Sequence, residues 1–191
     1  MGYEILGING PSASGKDTAG NHLAALGYLH LPTGDVIRAE ALRRYGTEEQ
    51  RVLRIVGHEL RKERGPGAIC SAAVDCYREN ADRYRGVVVS GMRAMEAAQV
   101  IREESGLLVY IDTPTELRFE RLLGRDRAGE PTCIEDFEVF EQEELAGQLT
   151  TGQNLLAIKA MSDVCIENVS SKPTFLATIE AVAQVTPTAM V

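Results

Sequence analysis

At 191 residues, with 44% apolar and 25% charged side chains, the chain has the size and make-up of one globular domain with a real core. No apolar run reaches the ~20 residues of a bilayer span, and no basic-then-apolar leader opens the chain, so a cytoplasmic setting with no membrane partner is expected. A net charge of -8 argues against a broad surface for polymeric nucleic acid. The four cysteines (Cys70, Cys76, Cys133, Cys165) form no CxxC pair and are expected as buried or idle thiols in a reducing compartment.

In chain order, Tyr3 to Asn9 reads as a strand that runs into a Gly-rich loop, followed by a helix from about Gly15 to Leu26. Tyr28 to Leu31 is a short second strand. "DVIRAEALRRYG" predicts a helix with Asp35 near its N-cap and Gly46 as its stop. "EEQRVLRIVGHELRKERG" predicts a second helix that ends at Gly65-Pro66-Gly67, and Ala68 to Arg83 a third. The β-branched run from Gly86 to Gly91 suits a strand covered on both faces. Met95 to Glu104 is expected helical and Leu107 to Thr113 a further buried strand. "PTELRFERLLGR" opens a helix with Pro114 at its first position. A polar loop, the acidic helix "IEDFEVFEQEELAG", a helix from Leu155 to Met161, the strand "DVCIEN" and a last helix from Thr174 to Gln184 complete the order. Alternating strands and helices predict a three-layer α/β/α fold on a five-stranded parallel sheet, with ligands beyond the carboxyl ends of the strands.

The loop "INGPSASGKDTAG" departs from G-x-x-x-x-G-K-[ST] at one place: Asp17 stands where the hydroxyl belongs, and Thr18 follows. Gly10 and Gly15 let the backbone N–H groups of Ser12, Ala13, Ser14 and their neighbours converge on phosphate oxygens. The helix start adds its positive end, and Lys16 reaches the outer phosphates. A nucleotide phosphate site over Gly10, Ser12, Ala13, Ser14, Gly15, Lys16, Asp17 and Thr18 is the expectation. A carboxylate beside polyphosphate is repulsive unless a hard cation intervenes, which places Asp17 near Mg²⁺ with Thr18 and Ser90. The alternative is an Asp17 side chain turned toward an Arg or solvent.

Further segments resemble known kinases. "PTGDVIRAE" is similar to the T-G-D-x-[LI]-R-A element of adenylate-kinase-type nucleoside monophosphate kinases. The resemblance implies acceptor-binding roles for Thr33 and Arg38. "VVVSGMR" is similar to the strand end that carries an acceptor-binding Arg, here Arg93. It is closer still to the D-G-[IM]-R of archaeal proteins that resemble dephospho-CoA kinase, with Ser90 in place of the Asp. R-x-x-G-R in "ERLLGRDR" resembles the opening of the kinase lid and implies that Arg121 and Arg125 clamp the transferring phosphoryl group. Arg118 and Arg127 read as surface side chains, and the acids from Glu135 to Glu144 as a solvated face. "MSDVCIENVSSKPTFLATI" resembles the closing element of dephospho-CoA kinases, in which the loop at Asn168, Val169 and Ser170 packs on the donor adenine. G-K-D-T itself resembles loops of phage-type deoxynucleoside monophosphate kinases.

Together these matches, from Gly7 to about Ala177, imply a P-loop kinase of the nucleoside monophosphate kinase superfamily, nearest the archaeal dephospho-CoA-kinase-like group. One domain over 1–191 is expected, with an acceptor-binding insertion at about 34–85 and a short lid at about 124–135. ATP is the expected co-substrate and Mg²⁺ the expected cofactor. The expected acceptor is a (deoxy)nucleoside monophosphate, held by Thr33, Asp35, Arg38 and Arg93, with Lys16, Arg121, Arg125 and Asp35 as catalytic residues. Asp35 would orient an acceptor hydroxyl, or else serve as a helix cap. Dephospho-CoA-like chemistry, or a regulatory ATPase without acceptor, are the other readings. The tetrapeptide N-K-x-D of GTPases and the L-S-G-G-Q of transporter ATPases do not occur.

Overall fold

The computed structural model describes residues 2–124, 131–146 and 154–185. Its elements are β1 (Ile5–Asn9), α1 (Lys16–Ala25), β2 (Tyr28–Pro32), α2 (Thr33–Tyr45), α3 (Gln50–Arg64), α4 (Ala68–Arg78), β3 (Gly86–Ser90), α5 (Met95–Glu103), β4 (Leu107–Asp112), α6 (Thr115–Leu123), α7 (Ile134–Ala146), α8 (Leu155–Met161), β5 (Val164–Glu167) and α9 (Lys172–Ala183). The five strands form one parallel sheet in the order β2-β3-β1-β4-β5.

Because strand side chains alternate, each inner strand feeds two cores. Leu6, Ile8, Val88, Val109 and Ile111 face α1 and α9, where they meet Ala19, Leu23, Phe175 and Ile179. Ile5, Val87, Val89 and Leu108 face α4, α5 and α8, where they meet Val74, Ile101, Leu155 and Ile158. This is why the central strands read as unbroken apolar runs. The helices α2, α3 and α4 close a third cluster around Ala41, Val56, Leu60 and Ile69, so the segment between β2 and β3 carries a small core of its own.

The strand order positions the site. From β1 the chain crosses over β3 to reach β2, and from β3 it crosses over β1 to reach β4. The connections leave β1 and β3 in opposite directions, which opens a crevice beyond their carboxyl ends at Asn9-Gly10 and Ser90-Gly91.

Several local expectations are corrected. Asp35 is not an N-cap: α2 begins at Thr33 with Pro32 before it, and Asp35 lies in the first turn, paired with Arg38. The helix expected to reach Arg83 stops at Arg78. Pro114 is the N-cap residue of α6 rather than its first residue. The last helix starts earlier, with Ser171 Oγ accepting from the Thr174 N–H and Pro173 in the first turn. Cys70, by contrast, is a buried thiol as expected, and burial alone pushes it up to about 12.

Arg118 is not a surface residue, and the acidic helix is not solvated all round. Arg118 is 4% exposed and Glu141 is 5% exposed, and they form an ion pair that joins α6 to α7. Arg118 Nε donates to the Thr113 carbonyl at 2.7 Å, and its Nη2 donates to Thr115 Oγ1 and Glu141 Oε2 at 2.9 Å each. The ring of Phe137 lies under the guanidinium at 5.6 Å. Removing one partner leaves the other charged and buried, so Arg118→Ala should cost about 3–5 kcal/mol in urea denaturation. Glu141→Ala should cost a similar amount. A loss below about 1 kcal/mol, the range of an exposed pair, would contradict the buried-pair reading.

Candidate functional site

The loop between β1 and α1 has the backbone of an anion cradle. Gly10, Ala13 and Gly15 all have positive φ (150°, 58° and 107°), which turns successive N–H groups toward one side. Gly15 is required twice over: its φ is left-handed, and a Cβ there would lie 2.6 Å from Asn168 Nδ2. The loop is fixed from below. The Ser14 carbonyl accepts from Thr113 Oγ1 at 3.1 Å and from Asn168 Nδ2 at 2.8 Å. Asn168 in turn donates its own N–H to the Asp112 carbonyl at 2.8 Å. Lys16 Nζ folds back on the Pro11 carbonyl at 3.2 Å.

Across the crevice stand the ends of β2 and β3. Thr33 Oγ1 donates to the Gly91 carbonyl at 2.8 Å and ties the two ends together. Lys16, Ser12, Gly91 and Arg93 line one pocket with Asn9 and Gly10. Arg38 and Asp35 are exposed and paired with each other one turn into α2. On the other flank, Arg121 Nη2 donates to the Asn168 carbonyl at 3.2 Å, which brings it beside the exposed Val169 and Ser170. Arg125 and half of the expected lid, 125–130, lie outside the described residues. Asp17 is exposed in the first turn of α1, and Thr18 is half-buried next to it.

His30 was not legible as a site residue. Its Nε2 lies 2.9 Å from Ser90 Oγ and its Nδ1 lies 2.9 Å from Asn21 Oδ1, so the ring bridges α1 to the end of β3. Gly20 makes the room: a Cβ there would sit 2.2 Å from the imidazole. A lone His in "YLHL" carries no pattern that names a partner sixty residues away. Thr113 was missed for the same reason, since it acts through Ser14 and Arg118, supplied by another loop and a helix.

A parallel sheet with a phosphate-type loop at its switch point, opposed by basic side chains, defines a P-loop kinase-like α/β protein. The chain belongs to the family described as "AAA domain", whose model matches residues 9–138, and to the UPF0200 proteins. It is 32% identical to the UPF0200 protein of Methanosarcina acetivorans over 175 residues, covering 90% of this chain and 89% of the relative. It is 32% identical to that of Methanosarcina mazei over 146 residues, covering 75% and 77%. Among solved structures, TT1252 from Thermus thermophilus superposes with a TM-score of 0.57 at 18% identity, covering 97% of this chain and 100% of the other. Shikimate kinase from Acinetobacter baumannii, in complex with shikimate, does so at 0.52 and 18%, covering 95% and 92%. These likenesses share the fold. No described helix is long and apolar enough to cross a membrane.

Burial lowers the pKa of His30 from its ordinary 6.5, opposed by the nearby charges of Asp17 and Asp35. Its stabilising contribution is therefore complete above about pH 6.5 and is lost as pH falls from there toward the folded-state value. Ligand-free protein should lose stability as pH falls below about 6.5 in denaturant titrations, and His30→Gln should flatten that part of the profile. An identical slope in the variant would assign the loss to other groups.

Proposed function

We propose that this protein is an ATP-dependent small-molecule kinase whose acceptor is nucleotide-like, with a (deoxy)nucleoside monophosphate as the favoured substrate. The observation that carries the reading is the meeting of Lys16 and the loop backbone with Arg93 in one pocket at the sheet's switch point. Phosphoryl transfer asks a protein for positioned cations and dipoles rather than covalent chemistry, and that pocket offers both.

In this reading the N–H groups of Ser12 to Thr18 hold the donor phosphates, and Lys16 leaves the Pro11 carbonyl to follow the transferring group. The loop at Asn168, Val169 and Ser170 flanks the adenine, with Arg121 tied to it and close to the phosphates. Thr33, Arg38 and Arg93 face the acceptor. Asp35 would accept the proton of an acceptor hydroxyl if the acceptor is an alcohol, as in the dephospho-CoA-like alternative, and has no such role if the acceptor is a phosphate. The net charge of -8 favours a small molecule over a nucleic-acid end.

Mg²⁺ fits this donor set. The carboxylate of Asp17 and the hydroxyls of Thr18 and Ser90 are hard oxygens. Asp17 is near enough to His30 to act on its charge, and His30 is bonded to Ser90. Bound there, the ion would neutralise charge on the outer phosphates.

A coupled ADP-release assay over nucleoside and deoxynucleoside monophosphates and dephospho-CoA should find turnover on at least one of them, and Lys16→Ala should lower kcat by about 10²-fold or more. No turnover on any of these acceptors by wild-type protein that binds ATP would favour the regulatory ATPase instead. Asp17→Ser should raise the Mg²⁺ concentration for half-maximal rate. Unchanged Mg²⁺ dependence would place Asp17 outside the metal site.

A further inference from the structure

We infer that Asn9 is a binding residue for the phosphoryl group in transit, forming with Ser12, Lys16 and Arg93 a subsite for the terminal phosphate of the donor. The inference rests on the kinase reading above and extends it to a residue outside the loop motif. Asn9 is the last residue of β1 and is 1% exposed. Neither its Oδ1 nor its Nδ2 has a hydrogen-bond partner among the described residues. A buried carboxamide left unsatisfied is costly, so it persists where something outside the fold pairs with it.

The surroundings say what that partner is. Asn9 lines the pocket whose polar wall is Ser12, Lys16 and Arg93 and whose apolar floor is Met92 and Leu155. Strand alternation sets Asn9 on the same face as Gly7, whose missing Cβ looks at Met92. A leucine at position 9 would rest on that floor with no polar atom to desolvate. An asparagine instead offers an N–H donor without adding negative charge beside two cations. Two cations, a hydroxyl and an amide donor around one small pocket suit an anionic phosphate oxygen. In the kinase reading the loop's own N–H groups take the β-phosphate, which leaves the pocket toward β3 for the terminal phosphate.

Asn9→Leu and Asn9→Ala separate this role from a structural one. Isothermal titration would compare ADP with the non-hydrolysable β,γ-imido analogue of ATP, on wild type and both variants. Affinity for the imido analogue should fall about 10- to 100-fold, the scale of a hydrogen bond to a charged group, with ADP affinity unchanged within about twofold. The melting temperature of ligand-free Asn9→Leu should equal or exceed that of wild type, because two unpaired buried atoms are gone. Equal losses for both nucleotides, or no loss for either, would overturn the subsite while leaving the kinase reading intact. A lowered melting temperature with unchanged affinities would make Asn9 the anchor of a buried water. Wild type that binds neither nucleotide would overturn both readings.

Discussion

The carbonyl of Ser14 accepts two side-chain hydrogen bonds, from Thr113 and Asn168, and the rest of the site depends on that clamp. A loop with three positive-φ residues in six does not hold its shape by local preference, since each such residue is free or strained on its own. Thr113 follows β4 and Asn168 follows β5, so the loop is stitched to two strands whose registers are set by the apolar core. The Asn168 N–H bond to Asp112 closes the lattice. Sheet packing is thereby converted into the placement of N–H groups, which is what preorganised anion binding requires.

The two flanks of the crevice are built differently. Toward β4 and α6 the structure is locked: Arg118 is spent on Thr113, Thr115 and Glu141, and Arg121 reaches the Asn168 carbonyl. Toward β2 and β3, Asp35 and Arg38 are exposed while Thr33 and His30 are half-buried. Thr33 bonds Gly91, His30 bonds Ser90, and Arg38 pairs with Asp35 in solvent. The helices that follow carry their own apolar cluster, held further by Arg44 between Glu40, Glu59 and Glu63. Under the proposed kinase reading, a locked donor flank and a separately packed acceptor flank would let one half move over a bound substrate without disturbing the other.

His30 shows how an unusual loop is accommodated. The hydroxyl of Ser90 at the strand end is held by a half-buried imidazole. The imidazole needs Gly20 in α1 to have no side chain. Asp17, Gly20, Asn21, His30 and Ser90 therefore form one constraint, although three segments of the chain supply them.

What the sequence determined was whatever local pattern encodes. The buried strands, the strand–loop–helix of the phosphate cradle, the parallel α/β class and the residues of the loop follow from runs of β-branched residues, glycine spacing and alternation along the chain. Helix ends were less legible, because the start of α2 at Thr33 and the stop of α4 at Arg78 are decided by neighbours as much as by capping residues. Only the tertiary structure decided which polar residues are buried. Arg118 and Glu141 look like ordinary surface charges in sequence, and Asn9, Thr113 and His30 carry no motif. The roles of Arg118, Glu141, Thr113 and His30 come from partners up to 99 positions away, brought within hydrogen-bond reach by the fold, and that of Asn9 from burial with no partner among the described residues. A charge or an amide has no preferred location of its own. Burial sets its worth, and burial is a property of the whole fold.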